Sequence, residues 1–447
     1  MNNDSPLEQE RVSALLGKLV HDHHVPGAQL DIRWRDSGIV AVSGCAEHGG
    51  GRPVTARSKI PAGSIGKAFT ATVAMMLVAD GDIGLDDPID EHLTGLHVDS
   101  DLFGRLTLRQ LLSHTSGLPS SVDEHLPAAA STSARRYLAE CARHAVPVCP
   151  PGTAFSYSNV GYVLVGHLIA EITGLAWHEA VESILLRPLG IEPAFVVTGP
   201  ATVPISPGHT VNPTTGRAHP VGQTITPGTA AVGALALSAS DLVAFAAPHL
   251  PDGPDLFDRA VVELMRRPVP GAEPFGLADG WGLGLAVFHR GDREWFGHDG
   301  TGDGTSCHLR IDPVERCVVA FTSNANTGTL LWQDLVTELR AAGLPVGDYE
   351  PPVALDRPQP PPAECFGRYV NGDNEYAIAR RHGGPCVAVA GEIFPELAVH
   401  DHGVFSVRDP MTGRRINGGR FLANPHTGRI NGLQTGGRIA RRLEAAA

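Results

Sequence analysis

A serine and a lysine three residues apart, in the run Ser64-Ile65-Gly66-Lys67, are the residues of this chain best suited to covalent catalysis. Positions i and i+3 share a helix face, so the hydroxyl and the amine can meet. A serine hydroxyl is a weak nucleophile until a neighbouring base takes its proton. A lysine can be that base only when desolvation or nearby positive charge lowers its pKa. Residues 65–79 supply an apolar setting: Phe69, Val73, Met76 and Leu77 recur at helical spacing, and Gly81 beyond Asp80 is a stop signal. A long buried helix opening at Ser64 is therefore expected, with N-terminal N–H groups and a dipole that favour charge developing on a carbonyl oxygen. Taken alone, the pair also reads as an N-capping serine and a solvated lysine. The chain holds just three lysines, Lys18, Lys59 and Lys67, among its 35 basic residues.

The elements that must hold such a pair are legible in outline. The N-terminal stretch has Val12, Leu15, Leu16 and Leu19 at helical spacing, and strand patterns follow at 28–34 and 39–46, with a Gly-rich hairpin at 49–51. Helices are expected at 135–144, 160–172, 178–186 and 239–246. Strand patterns return at 282–290, 293–300, 306–313 and 316–325, and a closing helix at 332–342. The economical arrangement is an α/β fold in which an antiparallel sheet is flanked by helices, with a helical cluster beside it. Residues 349–362 carry six prolines and read as a linker. Beyond them, short strand-like pieces broken by Gly, Asn and Asp suit a small β-barrel or half-barrel. The expected division is 1–347, a linker at 348–362, and 363–447.

At 447 residues, 42% hydrophobic and 19% charged, the chain can bury substantial cores. Its net charge of −13 gives no electrostatic reason to bind nucleic acid or an anionic membrane, so a small-molecule or peptide substrate fits better. No signal-like start and no long apolar run is visible, and a cytoplasmic protein is expected. The seven scattered cysteines lack CxxC spacing and read as free, mostly buried thiols. His21-Asp22-His23-His24 lacks partners at metal-ligand spacing and reads as a solvated helix cap. Gly300-x-Gly302-x-Gly304 reads as a turn, since no strand-to-helix context surrounds it. No metal and no cofactor is expected. No GxSxG elbow or HExxH occurs to anchor a competing hydrolase scheme.

Three further segments change the weight of the Ser64 and Lys67 pair: Leu-Thr-Leu-Arg-Gln-Leu-Leu-Ser-His-Thr-Ser-Gly-Leu-Pro at 106–119, Tyr157-Ser158-Asn159, and Gly297-His298-Asp299-Gly300. Tyr157 alone reads as a packed aromatic, His298 as a hydrogen-bonded histidine at a strand end, and His114 as structural packing. As an ordered set, however, these segments resemble the penicillin-binding-protein and class C β-lactamase-like serine hydrolases, where SxxK, YxN and a Lys/His-x-Gly triplet surround one pocket. The resemblance spans residues 25–326. It implies that Ser64 is acylated, that Lys67 deprotonates it, and that Tyr157 passes the proton to the leaving group and later activates the acceptor. It also implies that Asn159 holds the substrate amide and the Lys67 side chain, that Gly300 and Thr301 line the substrate strand, and that the Ser64 and Thr301 N–H groups form the oxyanion hole. His298 in place of lysine points away from β-lactam resistance.

Among the branches of that family, the chain is most similar to stand-alone penicillin-binding-protein-type thioesterases, which release and cyclise nonribosomal peptides. This similarity rests on the site residues, the Pro-rich linker and a last domain of lipocalin-like size. It implies a peptidyl thioester substrate, a peptidyl carrier protein as partner, and an arginine near the C-terminus that receives the substrate's carboxyl-side group. Arg438 is the best-placed match, with Arg441 and Arg442 as rivals and a plain edge-strand arginine as the bland reading. A cytoplasmic esterase, a D-amino-acid amidase or aminopeptidase, and a catalytically silent binding protein remain alternatives.

Overall fold

A strand buried at every position must be covered on both faces, and the strands Thr305–Asp312 and Cys317–Ser323 are buried throughout. In this computed structural model, which describes residues 8–443 apart from 94–95, 97–100, 123–125, 198–202, 352–354, 356, 382 and 425, they lie at the centre of a seven-stranded antiparallel sheet. Its spatial order is Ser37–Gly44, Gly27–Trp34, Cys317–Ser323, Thr305–Asp312, Arg293–Gly302, Ala286–Arg290 and Gly280–Trp281. Alternate side chains of Cys317–Ser323 serve two cores. Val318 and Ala320 join the large cluster built on the buried helices, while Val319 and Phe321 join the one that includes the helices Gln9–Asp22 and Gly328–Ala341. The amphipathic pattern of the first helix explains its place: Val12, Leu16, Leu19 and Val20 face inward.

The helix Gly66–Asp80 is apolar all round, has eleven buried residues including Lys67, and stops at Gly81 with φ 81°. Asn159–Thr173 is the second buried helix, ending at Gly174 with φ 70°. Among the described residues no single helix is long and apolar enough to cross a membrane. All seven cysteines are free.

Several local expectations differ. Residues 282–290 do not form one strand: the chain breaks between Gly280–Trp281 and Ala286–Arg290. Gly284 adopts φ 88° there, and a Cβ on it would fall 2.2 Å from the Ala71 Cβ of the buried helix, so the strand yields to the helix packed on it. The expected helix at 178–186 is an α-helical turn, Trp177–Ala180, running into a π-helical stretch, Val181–Leu186. The helix Arg259–Arg266 and the hairpin of Gly208–Val211 with Ala218–Val221 are additions. His23 is the C-cap of the first helix, as expected, but its side chain is tied rather than freely solvated: Nε2 lies 2.9 Å from Asp334 Oδ2.

In the Pro-rich stretch, where 352–354 and 356 lie outside the described residues, Gln359 forms an antiparallel bridge with Val399. The strands between Gly367 and Arg442 form a nine-stranded antiparallel sheet curled into a half-barrel, consistent with a lipocalin-like unit. It has its own cluster, with Tyr369, Ile378, Phe405, Phe421 and Leu433.

Candidate active site

Ser64 sits in a tight turn, Gly63–Ile65, that feeds directly into the buried helix. Two glycines let this turn touch the strand Arg293–Gly302. Gly63 has φ 53°, and a Cβ there would lie 2.5 Å from the Thr301 carbonyl oxygen; a Cβ on Gly300 would lie 2.0 Å from the Ala62 carbonyl oxygen. The backbones of the nucleophile turn and of Thr301 are thus held in direct contact by missing side chains. Gly300→Ala is expected to push them apart, lowering stability by ~1–3 kcal/mol and abolishing covalent labelling of Ser64. A thermal melt and a serine-reactive probe together check this.

Lys67 Nζ lies 3.0 Å from Ser64 Oγ and 3.0 Å from the Val232 carbonyl oxygen. The other two lysines both find carboxylates: Lys18 Nζ is 2.9 Å from Asp22 and Lys59 Nζ is 2.7 Å from Asp241. Lys67 is fully buried and has no acidic partner among the described residues. Burial, reinforced by the nearby charge of Arg438, holds its pKa well below the ordinary lysine value. A neutral amine 3.0 Å from a serine hydroxyl is an acceptor for its proton. Arg438→Gln removes one of the two influences that lower the amine's pKa. The acid limb of acylation against pH should then move upward, with activity lost first at the acid end. An unmoved limb would contradict the coupling.

Tyr157 is placed by a chain of local bonds. The short helix Leu108–Leu112 is fixed by a Thr107/Gln110 capping box. His114, in the left-handed region at φ 55°, follows it. Its Nδ1 accepts the Ser158 N–H at 3.1 Å, and its ring stacks on the Tyr157 ring with centroids 4.1 Å apart. Ser158 Oγ donates to the Pro119 carbonyl oxygen at 2.7 Å and caps the helix that starts at Asn159. The buried Tyr157 hydroxyl has no partner at hydrogen-bonding geometry among the described residues. Burial pushes its pKa up to about 12, an effect partly offset by the neighbouring Ser64 hydroxyl and Arg438. Asn159 lines the cleft beside Ser64, but the partners of Lys67 Nζ are Ser64 and Val232 rather than Asn159. The Asn159 contact to the lysine expected from the resemblance is thus not among the bonds of Lys67 in the described residues; the Val232 carbonyl is the second partner instead. His114 likewise does more than pack: it is the strut behind the phenol.

His298 is buried, with Nδ1 2.6 Å from the Asp299 carbonyl oxygen. A carbonyl only accepts, so Nδ1 carries the proton and the neutral ring leaves Nε2 as a bare acceptor; Nε2 has no partner among the described residues. Burial first, then the charge of Lys67, lowers the His298 pKa to about 4, so the ring is neutral near pH 7. The Asp299 carboxylate is tied down behind the strand by Arg310 at 2.7 and 3.0 Å and by His308 Nδ1 at 2.7 Å. Ser306 Oγ, 2.9 Å from His308 Nε2, completes a Ser-His-Asp chain. Ser306 is wholly buried, however, so this chain is a structural tie.

Ser64, Thr301 and Arg438 border both a polar cleft of about 390 Å³ and an apolar side compartment of about 160 Å³. Arg438 comes from the C-terminal sheet. Its guanidinium carbon stands 4.9 Å from the Tyr157 ring centroid, and its Nε donates to Ser120 Oγ at 2.9 Å. The turn before it is locked in place: the Gly437 carbonyl accepts the Tyr157 N–H at 2.9 Å and the Gly437 N–H bonds the Phe275 carbonyl at 2.9 Å. Gly437 has φ 68°, and a Cβ on it would strike Leu277 at 2.3 Å. Of the rivals, Arg442 bonds the carbonyls of Glu364, Phe366 and Ile430, and Arg441 pairs with Gly432 and Val370 within the sheet. Arg438 is therefore the arginine at the cleft. Trp281, the Val232 carbonyl and Asn371, whose Oδ1 accepts the Ser120 N–H at 2.6 Å, also shape the site. None carries a motif of its own, and only their distant contacts reveal them.

Residues 12–343 match the family model described as beta-lactamase. The chain is 31% identical to penicillin-binding protein 4 of Amycolatopsis lactamdurans over 78% of its own length and 93% of that protein's. Among solved structures, it is similar to SurE, at 41% identity and TM-score 0.83 over 97% of this chain and 99% of that one, and to SurE with D-Leu at 40% and 0.81. It is also similar to the D-amino acid amidase of Ochrobactrum anthropi complexed with L-phenylalanine amide, at 25% identity and TM-score 0.62, covering 74% of this chain and 99% of the amidase. With a nucleophile turn, a buried amine and a phenol already meeting in one cleft, these matches establish that the chain belongs to the beta-lactamase family of serine-hydrolase-type proteins, alongside the penicillin-binding proteins.

Proposed function

We propose that this protein is an acyl transferase that accepts a peptidyl chain on Ser64 from a carrier-protein thioester and releases it as a head-to-tail ring, acting in the cytoplasm. In this reading Lys67 takes the Ser64 proton as Oγ attacks the thioester carbonyl. The N–H groups of Ser64 and Thr301, on facing walls at the junction of the two compartments, receive the oxyanion. Tyr157 returns the proton to the leaving thiolate and later relays one from the attacking amine, with neutral His298 as the adjacent acceptor. Asn159 and the Gly300 strand hold the acyl chain's amides.

The observation that carries the reading is Arg438: the C-terminal sheet delivers a cation over the catalytic phenol, where it suits the carbonyl-side end of a peptide rather than a simple ester. Similarity to SurE over nearly the whole chain supports an undivided role for the two parts, and the D-Leu bound to that protein supports a D-configured acyl residue here. Hydrolysis of D-amino-acid amides is the second reading, favoured by the likeness to the amidase. A synthetic peptidyl thioester ending in a D-residue separates them. Cyclic product absent from a Ser64→Ala control is expected, and linear acid alone would move the function to the hydrolase.

A further inference from the structure

Resolving a serine ester requires the acceptor to approach from the side where a group can relay its proton. Tyr157 and His298 border the apolar side compartment and not the polar cleft, with Ser64 at the mouth of both. The compartment's apolar walls are Leu277, Trp281, Ala286 and Phe288, and one carboxylate lines it, Asp299. The Asp299 side chain is 38% exposed although Arg310 and His308 grip it from behind. Arg310 also bonds Asp348 at 2.5 Å. One guanidinium thus serves two carboxylates, and Arg310 alone leaves one negative charge uncompensated. Asp299 Oδ2 accepts only Arg310 Nη2 among the described residues, so a lone pair remains open. Beside it, His298 Nε2 is a buried acceptor without a partner. Two open acceptors stand here beside the Tyr157 hydroxyl, the unpaired Trp281 Nε1–H and Arg438, within apolar walls; the acceptor pair suits an N–H donor group attached to an apolar residue, and the Trp281 N–H is left for a carbonyl next to it.

We propose that this compartment is the acceptor subsite, in which Asp299 and His298 receive the terminal amine of the incoming peptide and Trp281, Ala286 and Phe288 enclose its apolar first side chain. This assignment rests on the acyl-transfer reading and specifies which amine ends it. The ammonium loses one proton to solvent on entering. The neutral nitrogen attacks the carbonyl carbon of acyl-Ser64, forming the C–N bond as the C–Oγ bond breaks. Its second proton passes through Tyr157 to Ser64 Oγ, leaving an amide and free serine. Water can bond the acceptors but leaves the apolar walls uncovered, so the side chain carried by the amine raises its share of the acyl-enzyme.

The test acylates the full-length protein with N-acetyl-D-leucyl N-acetylcysteamine thioester and offers L-leucinamide or glycinamide. The ratio of amide to acid product is read by mass spectrometry. Both products arise from one acyl-enzyme, so partial misfolding scales them equally. Asp299→Asn should lower the amide-to-acid ratio about 10-fold or more. Ala286→Leu, which leaves the Asp299 ties intact, should shift preference from leucinamide toward glycinamide by about 10-fold. A ratio unchanged in Asp299→Asn, a preference unchanged in Ala286→Leu, or no aminolysis by the unaltered protein overturns the assignment. Aminolysis that depends on Asp299, without ring closure of a peptidyl thioester, sinks the cyclase reading and leaves the subsite standing.

Discussion

Replacing Ser64 by alanine is expected to abolish covalent labelling by a fluorophosphonate or penicillin probe and to lower turnover of an ester or thioester by about 10,000-fold or more. The size follows from what is lost. Ser64, the proposed nucleophile, stands at the mouth of both compartments, and its Oγ is the atom that Lys67 Nζ approaches at 3.0 Å. The fold itself should barely register the change. Ser64 is only half-buried, and its removal leaves Lys67 Nζ bonded to the Val232 carbonyl, a loss of about 1 kcal/mol or less. A melting temperature close to that of the unaltered protein, together with an unlabelled band, therefore separates lost chemistry from lost structure. Labelling that persists in the alanine variant would place the nucleophile elsewhere.

Lys67→Met carries the second large effect and moves activity and stability in opposite directions. Without its base, acylation should fall by about 1,000-fold or more. Stability should rise, because a buried amine with no acidic partner is replaced by an apolar chain of similar length. The pH dependence has a definite sign. Lys67 binds its proton less readily in the folded protein than in the unfolded chain, where the ordinary value is 10.5. Between the lowered folded value and 10.5, the unfolded chain therefore holds more protons, and stability climbs with pH across that window. The methionine variant should lose this slope while gaining stability, most visibly at the acid end. Acylation by the unaltered protein should rise with pH over the same acid limb as the amine becomes neutral. Parallel stability curves for the two proteins would mean that Lys67 is not a neutral buried amine.

The buried histidines bear on how the site stays uncharged. Burial lowers the pKa of both His114 and His298. In both, the charge of Lys67 adds to that lowering, so protonating any one of the three opposes the others. Burial and mutual repulsion therefore both favour the uncharged forms of these groups, the forms that the proposed acylation uses. The two rings serve differently: His114 braces the phenol from behind, whereas His298 leaves an acceptor open beside the cleft.

Local order along the chain was enough to bring Ser64 and Lys67 together, because a three-residue spacing at the start of an apolar helix defines their geometry whatever surrounds it. It also gave the alternation of strands that builds the central sheet and the turn-punctuated strands that follow the prolines. Arg438, named first among the C-terminal arginines from the resemblance, lies at the cleft after a turn in which Gly436 and Gly437 both have positive φ. What the sequence could not supply were properties that depend on groups distant along the chain. The low pKa of Lys67 follows first from burial by segments far along the chain and then from the charge of an arginine contributed by another sheet, with no carboxylate paired to it among the described residues. Lys59, also buried, is instead paired with Asp241, which packing brings to it from far along the chain. The Val232 carbonyl in place of Asn159, the His114 stack under Tyr157, and the open face of Asp299 are likewise contacts between segments far apart. Spacing encodes what one helix turn can bring together; whether a charge there is paired, bare or neutral is decided only when the remaining elements pack around it.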